Sequence, residues 1–147
     1  MENELSIGMQ EKAIKALAQR CNDANDSVER HRTAVTTAEA ALFHAKTEVA
    51  VAAQRKISIE AEIQGLIGPW EHDPDTPQAI LDALAPLRNK LRTAQERVTA
   101  AEAAQKAHED RFEDAQARLA LAEKEAADLN RQIGLIKNKV VQMSRAS

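Results

Sequence analysis

The chain has 147 residues, a length suited to one domain, and carries 29% charged residues with a net charge of −3, which leaves no broad field for nucleic acid or an anionic membrane. Hydrophobic residues make up 44%, but aromatics only 2%, with no tyrosine. The apolar share is mostly alanine, so the composition favours long helices over a bulky globular core. Periodic placement of the apolar residues argues against disorder. The opening segment "MENELSIGMQEK" is acidic and polar, and gives the expectation of no secretory leader. No apolar run approaches the roughly 20 residues that span a bilayer. Cys21 is the one cysteine, so a reducing location is expected: the cytoplasm, or a virion assembled in a cytoplasm.

In chain order, the first element is a helix over about 3–67. Ile7, Ile14, Cys21, Val28, Val35, Leu42, Val49 and Ile63 recur every seven residues at seam position a, with Lys56 as the departure. Leu17, Ala24, His31, Ala38, Ala45, Ala52, Ile59 and Leu66 follow at position d. A heptad held this long predicts supercoiling against a partner helix.

The stretch "GLIGPWEHDPDTPQ" gathers most of the chain breakers. Gly68 and Pro69 read as a helix stop, with Gly68 as a left-handed C-cap. Asp75 or Thr76 before Pro77 reads as a helix start. Residues 68–76 therefore form a tip.

The second helix is expected over about 77–144. Leu84, Leu91, Val98, Gln105, Phe112, Leu119, Ala126, Ile133 and Val140 hold a; Ile80, Leu87, Ala94, Ala101, His108, Ala115, Ala122, Leu129, Ile136 and Met143 hold d. Pro86 removes one backbone bond without changing the phase, which predicts a kink. Each helix would be about 90 Å long at 1.5 Å per residue. The short connection favours antiparallel neighbours, so the expected fold is all-α: one long antiparallel two-helix coiled-coil hairpin, packing with other copies or subunits.

Placing Leu66 level with Pro77 sets an expected register. It pairs Ile14 with Leu129, Cys21 with Ala122, Ala24 with Leu119, Val28 with Ala115, Leu42 with Ala101 and Ala52 with Leu91. Small residues then meet larger ones in most middle layers, as dense packing requires. The same register puts Glu2 and Glu4 near Lys137 and Lys139, and Gly8 opposite Gly134, where fraying or a bend is expected.

Four groups of side chains are candidates for function. At the tip, Trp70, Glu71, His72 and Asp73 form an expected partner-binding cluster. Glu71, His72, Asp73 and Asp75 are the residue types that hold a cation, but turn and cap roles explain them without one, and no metal is assigned. Trp70 either folds back on Leu66, Ile67 or Ile80, or anchors a partner. Within the seam, His31 and His108, with Gln105 one turn on, read as a polar layer; His31 faces Phe112 and His108 faces Val35. Such a layer sets register, and a pH switch is the sharper alternative. On the outer b and c positions, Phe43, Val51 and Ile57 of the first helix and Leu121, Leu135 and Val141 of the second form lateral apolar stripes, expected to bind partners. The basic end with Arg131, Lys137, Lys139 and Arg145 has no nucleic-acid module around it.

No catalytic constellation or phosphate loop is present, so no catalytic residue and no cofactor is assigned. The sequence leads to a non-enzymatic structural or assembly protein, a coiled-coil rod in a larger complex such as a viral particle, with protein partners and self-association. The alternative is a small regulator or inhibitor that binds a host protein through its tip or a lateral stripe.

Overall fold

The computed structural model describes the backbone of residues 2–146 and the side chains of residues 7–146. Two long helices, α1 (Glu2–Ile67) and α2 (Gln78–Ala146), pack against each other as a helical hairpin, with no strand among the described residues. Both are rich in alanine, glutamate, lysine, arginine and glutamine, the strong helix formers. The helices continue through Gly8 and Gly134, so neither glycine ends its element, and α2 is unbroken across Pro86. Proline at 86 leaves the carbonyl of Asp82 without its intrahelical donor.

The heptad decides which residues are buried. Leu17, Cys21, Ala24, Val28, Leu42, Ala45 and Ile59 on α1, and Leu84, Ala94, Val98, Ala122, Ala126 and Leu129 on α2, are the buried apolar side chains. Every one is an a or d residue. Among the described residues no polar or charged side chain is buried.

Packing divides the chain into two compact units, Met1–Ala38 with Phe112–Ser147, and Glu39–Arg111. In the first, Leu17, Cys21, Ala24 and Val28 cluster with Ala122, Ala126 and Leu129, and Leu119, Ile133 and Ile136 pack against that cluster. In the second, Arg55, Ser58, Ile59 and Glu62 share a groove with Asn89, Lys90, Thr93, Ala94 and Arg97.

Both units correct the expected register by one heptad. Placing Leu17 level with Ala126 would leave Ile136 about 15 Å further along the axis, out of reach of the cluster. The observed cluster places Leu17 level with Ile133, Cys21 with Leu129, Ala24 with Ala126 and Val28 with Ala122. The groove likewise places Ile59 level with Leu91 instead of Leu84. Gly134 moves level with Ala16, away from Gly8. The side chains of Glu2 and Glu4 lie outside the described residues, so their expected pairing with Lys137 and Lys139 does too.

The tip supplies the physical reason. Gly68 is not a left-handed cap, since the one positive φ among the described residues is at His72, 64°. Instead Gly68–Trp70 forms a 3-10 turn directly after α1, with Pro69 in its first turn, where the missing N–H costs nothing. The chain reverses further on. The N–H of Glu71 donates to the Gly68 carbonyl at 3.3 Å and that of Asp73 to the Trp70 carbonyl at 2.9 Å. The carboxylate of Asp73 accepts the N–H of Asp75 at 2.8 Å, an Asx turn. The Thr76 hydroxyl donates to the Asp73 carbonyl at 2.8 Å. Neither Asp75 nor Thr76 therefore makes the expected side-chain cap; α2 opens with the N–H groups of Ile80 and Leu81 on the Pro77 carbonyl, at 3.0 and 3.3 Å. Moving the reversal from Gly68 toward His72 and Asp75 shifts the helices past each other by about one heptad.

Candidate interaction surfaces

A two-helix hairpin buries one seam on each helix and leaves the other faces to solvent. Phe43 (73%), Val51 (64%) and Ile57 (56%) on α1, and Leu121 (69%), Leu135 (64%) and Val141 (49%) on α2, are exposed large apolar side chains. The α1 set lies in the Glu39–Arg111 unit and the α2 set in the other. Met9 (72%) and Leu81 (44%) are exposed in the same way and were not singled out from the sequence. Met9 occupies the same heptad position as Val51, so the rule that found Val51 applies to it. Leu81 flanks the seam in the first turn of α2, where the rule for outer positions does not look.

Around the α1 stripe three polar side chains find partners on their own helix. The Thr47 hydroxyl donates to the Phe43 carbonyl at 3.1 Å. His44 Nε2 lies 3.2 Å from Glu48 Oε1, and Lys56 Nζ 3.7 Å from Glu60 Oε1. An open, mostly apolar groove of 340 Å³ runs beside the stripe, lined by His44, Thr47, Glu48, Val51, Ala52, Arg55 and Arg97. The neighbouring groove at Ile59 and Ala94 measures 510 Å³ and is flanked by Arg55, Lys90 and Arg97.

His31 belongs to one unit, and Gln105 and His108 to the other. The register correction moves His31 level with Leu119 and His108 level with Leu42, replacing the expected Phe112 and Val35. All three polar side chains are half-buried, and the Gln105 amide donates to Glu109 Oε1 on its own helix at 2.9 Å instead of across the seam.

At the tip Trp70 is half-buried, while Glu71, His72 and Asp73 are exposed. Asp73 is occupied as the organiser of the turn. Among the described residues no three His, Cys, Asp or Glu side chains gather as metal ligands would. No helix among them is long and apolar enough to cross a membrane. No protein-family model matches the chain, and no curated protein has a matching sequence.

Proposed function

We propose that the protein is a non-enzymatic assembly element, a helical hairpin whose outer faces dock onto other protein helices. The observation that carries this reading is the exposure of Phe43, Val51 and Ile57 on one face of α1, at 56–73%. Solvent-facing positions of a hairpin that works alone are expected to be polar, and large apolar residues repeated at helical spacing on one face mark contact surfaces. The alanine-rich seam adds a second argument. It buries little area per turn, and packing against further helices adds burial in the manner of a four-helix bundle.

The test is site-specific photo-crosslinking in the cells that make the protein. A photoreactive residue is placed at Phe43, at Leu121, and at Glu113 as an exposed control. Protein adducts at Phe43 or Leu121, and none at Glu113, are expected. No adduct at either apolar site would defeat the reading.

A further inference from the structure

The outer face of α1 carries a second heptad. Ala40, Phe43, Thr47, Ala50, Gln54, Ile57 and Ala61 recur at alternating intervals of three and four residues. All are uncharged, all are exposed, and all lie in the Glu39–Arg111 unit. Alternating three-and-four spacing is the signature of a seam that another helix fills. The seam α1 shares with α2 is already occupied, so this one is unpartnered.

Building on the assembly role, we infer that the partner on this face is a second copy of the chain, docked α1 against α1 in antiparallel orientation about a two-fold axis. Self-complementarity carries the choice of occupant. Antiparallel seams pair one seam position with the other. With Phe43 level with Ala61 of the second copy, Thr47 meets Ile57 and Ala50 meets Gln54, so each large residue meets a smaller or flexible one. The flanks agree in charge. Lys46 falls beside Glu60 of the second copy, and the two-fold axis repeats that pair, while Val51 and Ala53 each approach their own counterparts. Sliding by a heptad so that Phe43 meets Gln54 instead sets Glu39 against Glu60, a like-charge contact. Gln54 supplies the one amide side chain of the seam, a residue type that fixes register. Burying Thr47 orphans no hydroxyl, because its proton is already donated to the Phe43 carbonyl at 3.1 Å.

Sedimentation of the full chain at tens of micromolar tests this. The wild type should sediment as a dimer. Phe43→Glu with Ile57→Glu should halve the mass while helicity persists, and Leu121→Glu with Leu135→Glu should leave it dimeric. Lys46→Glu alone and Glu60→Lys alone should each raise the dissociation constant several-fold, and the two together in one chain should restore it. In a Cys21→Ala background, mixing Ala50→Cys with Gln54→Cys chains should give a disulfide-linked pair faster than either alone. A monomeric wild type, or a dimer that Phe43→Glu with Ile57→Glu leaves intact, overturns the inference. If the monomer still forms adducts at Phe43 with a different protein, the second copy is excluded and the assembly role stands.

Discussion

Arg32 on α1 reaches Glu123 on α2, its Nε 4.0 Å from the carboxylate. The side chains are 56% and 50% exposed, so the contact is worth on the order of 0–1 kcal/mol and does not hold the helices together. It reports the register instead. Level with Arg111, as the sequence suggests, Arg32 would be about 18 Å along the axis from Glu123; level with Arg118 it is about 7.5 Å away. The second position brings the pair within reach, in agreement with the cluster around Cys21 and Ala126.

Cysteine pairs read the same register in the other unit. In a Cys21→Ala background, Ala52→Cys with Val98→Cys should oxidise readily within one chain, because the two positions are level. Ala52→Cys with Leu91→Cys should oxidise slowly, since those positions stand about 10 Å apart along the axis. Rates of intramolecular disulfide formation by gel shift check this. Faster closure of the second pair would restore the unshifted register.

The buried alanines set the closeness of the helices. Ala94 is 4% exposed, and Ala94→Leu must push the helices apart or adopt a strained rotamer, at a cost of about 1–3 kcal/mol. Ala103→Leu, on the exposed face of the same helix, should change stability by about 0.5 kcal/mol or less. Thermal or urea melts compare the two. Equal effects would mean that the seam is not packed as described.

Leu84 is the most enclosed large side chain at 1% exposure, while Leu81, three residues earlier, is 44% exposed. Leu84→Ala should cost about 2–5 kcal/mol, the range for a buried leucine that leaves a cavity. Leu81→Ala should cost well under about 1 kcal/mol. Urea unfolding followed by circular dichroism measures both, and a larger loss at Leu81 would show that it is covered by something beyond the hairpin.

The heptads made the seam legible, because an a or d residue faces the partner whatever the details of the turn. Ile7 through Leu66 and Ile80 through Met143 are buried or half-buried accordingly. The register was not legible for the same reason: with alanine at Ala24, Ala45, Ala94, Ala122 and Ala126, a slip of seven residues still sets small against large in many layers. The tip decides between them, and its 3-10 turn at Gly68–Trp70 has no periodic signature. The outer apolar residues were visible singly as Phe43, Val51 and Ile57. Their continuity with Ala40, Thr47, Gln54 and Ala61 is seen only once exposure shows that these uncharged residues share an open face.

The last prediction separates the two residues that compete to explain the reversal. If Gly68 were the left-handed cap, Gly68→Ala would be strained. Its φ is not positive, and an added Cβ would meet the end of the flexible Gln64 side chain at 3.2 Å, so a small shift of that amide accommodates it. Gly68→Ala should therefore be neutral or stabilising, by up to about 1 kcal/mol, through a less flexible unfolded chain. His72 instead holds a φ of 64°, a conformation that costs an L-residue about 1–2 kcal/mol and glycine little. His72→Gly should raise the melting temperature and His72→Val should lower it, with α-helical content unchanged in both. Asp73→Ala removes the carboxylate that accepts the Asp75 N–H at 2.8 Å, and should cost about 0.5–1.5 kcal/mol. If Gly68→Ala proved the most damaging of the four in thermal melts, the reversal would begin at Gly68 after all, and the one-heptad shift between α1 and α2 would lose its cause.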